Sequence, residues 1–156
     1  MNNKHQPDAP SLKILAALQE DGRLSVQDLA TRIGLSTTPT WKRLKALEHT
    51  GVIQRYTTVL DRERVGLGTC VLAEVNLARH VDNVVEEFER AVRACPAIVE
   101  CYSTTGRADY VLKVVTPDIA HYDAFLHQVI FTLPGVNDIR SAVVLREVKT
   151  HGALPL

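Results

Sequence analysis

Thr38, Lys42, Lys45 and His49 fall at i, i+4, i+7 and i+11. On a helix they share one face. Small hydroxylated residues at the leading end of such a helix suit a close approach to base edges and phosphates. Cations along its flank suit displacement of counterions from a nucleic-acid backbone. Ser36, Thr37 and Thr40 add hydroxyls around the same end, and Arg43 lies beside the stripe. Trp41, the only tryptophan, stands one residue off the stripe and has two readings: core packing, or a place against the sugar-phosphate wall of DNA. A solvated surface helix can carry the same cations, so the elements around the stripe have to decide between the two uses.

Those elements read as three short helices. Asp8 suits the N-cap of a first helix, with Pro10 tolerated in its opening turn. Leu12, Ile14, Leu15 and Leu18 form its apolar face, and Gly22 suits its stop. Ser25 suits the cap of a second helix, whose Val26, Leu29, Ala30 and Ile33 recur at i, i+3, i+4 and i+7. Gly34-Leu35 makes a tight turn. Ser36 then caps a third helix that runs to about Thr50 and stops at Gly51, with Leu44 and Leu47 facing inward. Helix, short glycine turn and helix make a helix-turn-helix, and the basic stripe is its outer face. Residues 52–60 are rich in β-branched and aromatic types and predict a strand, either a wing or a link to the next unit. Asp61 to Gly68 is a charged connector.

The remainder predicts βαββαβ. Val71, Ala73, Val75 and Leu77 alternate as in a strand. Val81, Val84, Val85, Phe88 and Val92 mark a helix that ends before Pro96. Ile98–Thr105 and Asp109–Thr116 are strands around a turn at Gly106-Arg107-Ala108. Ile119, Tyr122, Leu126, Val129, Ile130 and Leu133 mark a second helix, ended by Pro134-Gly135, and Ile139–Glu147 is a last strand. The halves repeat: Pro96 precedes Ser103 by seven residues, and Pro134 precedes Ser141 by seven. The expected fold is α+β, a winged helix-turn-helix followed by a ferredoxin-like domain with two helices on one face of a four-stranded antiparallel sheet. The expected division is 1–54 for the DNA-binding unit, 55–67 for a connecting strand and linker, and 68–156 for the ferredoxin-like domain, through which the chain oligomerises. The sheet face without helices carries Val, Leu and Tyr among polar residues, which predicts a homodimer.

Composition agrees with a globular cytoplasmic protein. Of 156 residues, 46% are hydrophobic and 23% charged. No apolar run approaches the ~20 residues of a membrane span. The zero net charge conceals a split. Residues 1–60 hold eight basic and five acidic side chains, net +3, and the rest of the chain offsets them. Cys70, Cys95 and Cys101 are spaced for neither a CxxC pair nor a zinc site; buried thiols are the plainer reading and redox sensing the other. Of the six histidines, His121 and His127 come nearest to a pair, but a gap of six suits neither i+3 nor i+4 on a helix. No cofactor, metal site or catalytic residue is expected.

Taken in order, these landmarks resemble the Lrp/AsnC (feast/famine) family of transcription regulators over nearly the whole chain. The resemblance rests on Asp21-Gly22-Arg23, Leu29-Ala30 and Gly34-Leu35-Ser36-Thr37-Thr38-Pro39-Thr40. It continues through Arg43, Leu44, Leu47, Gly51-Val52-Ile53, Tyr56 and Gly66-Leu67-Gly68. Farther on it takes in Thr105-Gly106, Asp109-Tyr110, Pro134-Gly135-Val136, Ser141, Lys149 and the closing Ala153-Leu154-Pro155-Leu156. It implies double-stranded DNA as partner, dimers built through the second domain and assembling to octamers, and a small effector, usually an amino acid. It adds effector binding to 68–156 and places the effector near Thr104, Thr105, Gly106, Arg107, Asp109 and Tyr110. Chemistry agrees: Asp109 suits an ammonium, and glycine-enabled backbone amides suit a carboxylate. Two residues depart from the family pattern. Arg107 stands where acidic or small residues are frequent, and it could pair a carboxylate bidentately. Ser11 replaces a frequent acidic residue and bears on capping. Two other readings compete: a sirohaem-decarboxylase-like enzyme on the same two units, whose characteristic histidine is missing from 55–62, and a ligand-binding module without DNA binding, against which Lys42, Arg43 and Lys45 count.

Overall fold

The computed structural model describes residues 6–78 and 83–156. Lys4, His5, His80 and Val81, the last expected on a helix face, lie outside the described residues. The chain forms two compact units. One comprises the described residues to Val59 together with Lys149–Leu156, and the other is Leu60–Val148.

In the first unit, α1 spans Ala9–Glu20. Asp8 caps it by accepting from the Ser11 N–H at 3.0 Å, and Pro10 sits where no intrahelical donor is needed. The helix closes on Asp21 in extended conformation, one residue before the expected Gly22. α2 spans Val26–Ile33 and is capped by Ser25, whose hydroxyl accepts from the Asp28 N–H. Its end is a Schellman turn: Gly34 adopts φ +72° while the Leu35 N–H donates to the Ala30 carbonyl at 3.0 Å. Only glycine enters that left-handed conformation without steric cost. α3 spans Thr37–His49. Ser36 holds its N-cap position but makes no side-chain cap bond, contrary to expectation. Ile14, Ala17, Leu29, Leu44 and Leu47 form the core of this unit, with Ile53 packed against it. Burying one such leucine or isoleucine stabilises the unit by about 1.5–3 kcal/mol.

The strand expected over 52–60 does not form. Val52, Tyr56, Val59 and Leu60 are exposed and the backbone pairs with no strand. High β propensity needs a partner ladder to be realised, and none of the described strands lies in this unit.

The second unit has β1 (Thr69–Leu77), α4 (Val84–Ala94), β2 (Ile98–Ser103), β3 (Tyr110–Thr116), α5 (Ile119–Gln128) and β4 (Val136–Val143), with a single 3₁₀ turn at Ile130–Thr132. The sheet is antiparallel in the order β2-β3-β1-β4, the ferredoxin-like arrangement. Val71, Ala73 and Val75 of β1 and Leu112 and Val114 of β3 alternate onto the helix-covered face with Phe88, Val92, Tyr122 and Phe125. Val85 and Ile119, expected inside, are exposed. The Tyr122 and Ser141 hydroxyls share a hydrogen bond of 2.6 Å. Gly135 has φ +70°, and a Cβ there would overlap Val84 Cγ2. Glycine is required on both counts.

Candidate nucleic-acid interface and effector site

Packing of Leu44 and Leu47 onto the first unit's core turns the opposite side of α3 outward. Thr37, Thr38, Trp41, Lys42, Lys45 and His49 are exposed along it, and so is the cap residue Ser36. Trp41 is 49% exposed, which resolves its two readings in favour of the outer surface. Thr40 is a correction. It is fully buried, and its hydroxyl donates to the Ser36 carbonyl at 2.9 Å. It shares the i, i+4, i+7 face of Leu44 and Leu47 and has no access to a nucleic acid.

The cations differ in their engagement. Arg43 leaves the outer face and pairs with the Asp8 carboxylate at 3.2 Å. The Ser11 hydrogen bonds, then Arg43, hold the Asp8 carboxyl below the usual range. Lys45 Nζ lies 2.6 Å from Glu48 Oε2, while the Tyr56 hydroxyl donates to Glu48 Oε1 at 3.1 Å. The Lys45 bond, then the Tyr56 bond, keep the Glu48 carboxyl below its ordinary range. Lys42 makes no ion pair among the described residues. Glu48 was missed from sequence, although its i+3 spacing from Lys45 is the spacing of a helical ion pair.

The β2–β3 hairpin is built by short bonds. The Thr104 hydroxyl donates to the Ala108 carbonyl at 2.5 Å, and the Thr104 N–H to the Asp109 carbonyl at 3.0 Å. Asp109 Oδ2 accepts from the Leu77 N–H at 2.9 Å, and the Asp109 N–H donates to Asn76 Oδ1 at 3.1 Å. One oxygen of the Asp109 carboxylate thus anchors the hairpin to β1. Thr105, Gly106 and Arg107 are exposed. Gly106 is not in the left-handed region, and a Cβ there would meet nothing within 4 Å. Its conformation needs no glycine, contrary to the expectation of glycine-enabled amides.

Tyr110 is set apart from the rest of the expected effector set. It is 6% exposed, its ring lies 4.8 Å from that of Phe88, and its hydroxyl donates to Glu89 Oε1 at 3.1 Å. Strand alternation sends it to the face opposite Asp109. There it joins Glu89, Val92, Arg93, Cys101 and Ser103 around a cavity of about 220 Å³. Cys70 is buried, but Cys101 is exposed, so burial does not describe all three thiols. Partial burial pushes the Cys101 thiol up, with a further push from Glu89.

The sheet face without helices presents Leu72, Glu74, Tyr102, Val111, Lys113 and Ala142 in cross-strand register. Lys113 lies 3.1 Å from Glu147 and 3.7 Å from Glu100, and Arg62 lies 3.5 Å from Glu147. The Lys113 hydrogen bond, then Arg62, hold the Glu147 carboxyl down. Leu72 and Tyr102 are exposed around this network.

A helix-turn-helix with a basic outer face, joined to a ferredoxin-like unit, defines the class of two-unit DNA-binding regulators. The comparisons with known proteins agree. The family profile for the Lrp/AsnC ligand binding domain matches residues 70–154, and that for the winged helix-turn-helix DNA-binding family matches residues 8–54. The chain is 42% identical over 149 residues to the Bkd operon transcriptional regulator of Pseudomonas aeruginosa, covering 96% of this chain and 97% of that one. It is 41% identical over 141 residues to the leucine-responsive regulatory protein of Escherichia coli, covering 90% and 86%. A transcriptional regulator of Neisseria meningitidis solved in complex with L-methionine superposes with a TM-score of 0.91 at 35% identity, over 96% of this chain and 97% of that one. An AsnC family regulator from Agrobacterium tumefaciens superposes at 0.90 with 40% identity and the same coverage. The chain belongs to the Lrp/AsnC family of transcriptional regulators. The relatives it matches are named as transcriptional regulators, not as enzymes. No described helix is long and apolar enough to cross a membrane.

Proposed function

We propose that this regulator acts as a cytoplasmic homodimer, closed through the helix-free sheet faces and able to assemble further, toward an octamer. Its paired α3 helices read half-sites in successive major grooves. The functional division is 1–54 for DNA and 68–156 for effector and assembly, although the closing Lys149–Leu156 is part of the first compact unit. The observation that carries the DNA reading is the outer face of α3, where Thr38, Trp41, Lys42, Lys45 and His49 are exposed together. Phosphate contacts by the cations would position the helix, and the threonines at its tip would meet base edges. A gel shift on the chain's own upstream DNA tests it. Specific binding should weaken steeply with salt, and the K42A/K45A double variant should lose affinity with its assembly unchanged. Equally poor binding to every sequence at every salt concentration would refute it.

The effector is a small zwitterion, an amino acid, at the hairpin of Thr104, Thr105, Gly106, Arg107 and Asp109. Asp109 Oδ1 offers a carboxylate oxygen to an ammonium, and Arg107 offers a guanidinium to a carboxylate. Support comes from the relative solved with L-methionine. Such a ligand moves DNA affinity only through its different affinity for the alternative assemblies. A thermal-shift screen of the twenty amino acids should find it, since a ligand at about 100 times its Kd adds about 2.7 kcal/mol. D109A should abolish the response while ligand-free DNA binding persists.

A further inference from the structure

Of the cations on and beside the α3 stripe, only Lys42 makes no ion pair among the described residues. Arg43 is tied to Asp8. Lys45 is tied to Glu48, an acidic side chain on the recognition helix itself. The geometry of that second pair is unusually complete. Glu48 uses one carboxylate oxygen for Lys45 and the other for the Tyr56 hydroxyl. The Glu48 side chain is only 28% exposed, whereas Lys45 is 54% exposed on the face that would meet DNA. Tyr56 comes from the segment after the helix, so the carboxylate is aimed from outside α3 rather than left to its own rotamers.

We infer that Glu48, held by Tyr56, is a positioning residue for sequence discrimination: it keeps Lys45 occupied until a cognate site draws it away. This rests on the DNA-binding reading above and extends it. A free lysine is attracted to any phosphate and raises affinity for all sequences alike. A lysine already paired must exchange one anion for another, so an ill-fitting duplex gains little from it. A fitting site delivers a phosphate or base edge at the required distance and completes the exchange. Discrimination is then bought by weakening the wrong complexes. Glu48 is charged at neutral pH, as the device requires, and the Lys45 and Tyr56 hydrogen bonds hold its carboxyl below the ordinary range.

The test uses the full chain and a 30-bp duplex of random sequence, titrated at several salt concentrations. E48Q keeps the shape and removes the charge. It should bind this duplex about threefold to tenfold more tightly at ~0.1 M salt, with a log–log salt slope steeper by roughly 0.9, one additional phosphate contact. The gain should vanish in a K45A background, because Glu48 acts through Lys45. An E48Q variant with unchanged affinity and slope overturns the inference. So does a gain that survives in E48Q/K45A, which would make Glu48 a direct repulsive charge. If E48Q melts too low to measure, K42A and K45A decide. K42A should flatten the slope by about 0.9 and K45A by clearly less, and equal flattening overturns the inference. A wild-type chain that binds neither this duplex nor its upstream DNA at low salt brings down the DNA-binding reading, and this inference with it.

Discussion

Two neighbouring residues on α3, Thr40 and Trp41, show how much a single turn of helix decides. Thr40 carries the residue type expected at a DNA surface, but it is sealed beneath the helix with its hydroxyl bonded to the Ser36 carbonyl. T40V should therefore change stability by about 1 kcal/mol, the worth of one buried hydrogen bond. DNA affinity per folded molecule should stay as it was, measured by a chemical melt beside a gel shift. Trp41 should show the reverse, and its fluorescence should change when duplex is added. Gly135 is constrained more tightly than either. G135A places a methyl against Val84 in a left-handed backbone. It should cost about 2–4 kcal/mol from overpacking and backbone strain together, and V84A should recover part of that loss in the same denaturation assay. The spacing of Thr40, Leu44 and Leu47 already marked Thr40 as inward. A buried threonine needs a local hydrogen-bond acceptor, and the i−4 carbonyl of Ser36 supplies it, so the hydroxyl does not keep Thr40 at the surface.

The elements form where local chemistry and tertiary pairing agree, and fail where they part. Ser25 with Asp28 and Gly34 bounds α2 on both sides. S25A should destabilise the first unit by about 1 kcal/mol, the usual value of such a cap, read from the shift of its thermal transition. The apolar, β-branched run at 52–60 has no ladder to join and stays extended and exposed. β1 lies between β3 and β4, so one of its faces meets both helices and the other meets none. That second face is the proposed dimer surface, and Leu72 lies in its middle strand. L72E should convert the dimer to a monomer in sedimentation, since its cross-strand neighbour Lys113 is already shared by Glu100 and Glu147 and cannot offset the cost of burying a further carboxylate. A dimer that persists unchanged would move the interface elsewhere.

At the scale of the whole molecule, acidity acts on several anchors at once. Asp8 and Asp118 cap helices, Glu48 holds Lys45, and Glu147 holds Lys113. All four carboxyls lie below their ordinary range because hydrogen bonds favour the charged form. A lowered carboxyl contributes stability that is fully present above its unfolded pKa, near 4 for such groups, and is lost as pH falls through its folded value. These groups should thus leave the melting temperature flat from pH 7 to about 5, then lower it as pH drops below about 4. A melting temperature that rises between pH 5 and pH 3 would contradict the assignment. The split of charge along the chain also acts at this scale. With Arg43 and Lys45 already paired, each head has few cations to offer, so tight binding should require several heads on one DNA. Dilution below the dimer dissociation constant should weaken DNA binding more steeply than a single-site isotherm predicts.

The amino-acid sequence by itself determined the helix-turn-helix, the βαββαβ order and the position of the basic stripe. It did so because caps, glycine turns and hydrophobic period act over a few residues and need no distant partner. Only the tertiary structure decided which of those residues remain available. It drew Arg43 to Asp8, placed Tyr56 against Glu48, sent Tyr110 to Phe88 and Glu89, and spent half of the Asp109 carboxylate on Leu77. It also joined Lys149–Leu156 to the first unit, where the Gln19 side-chain amide and the Leu154 backbone exchange two hydrogen bonds. The physical reason is range. Burial and ion pairing depend on groups brought together from far along the chain, and their positions become known only once the chain has folded.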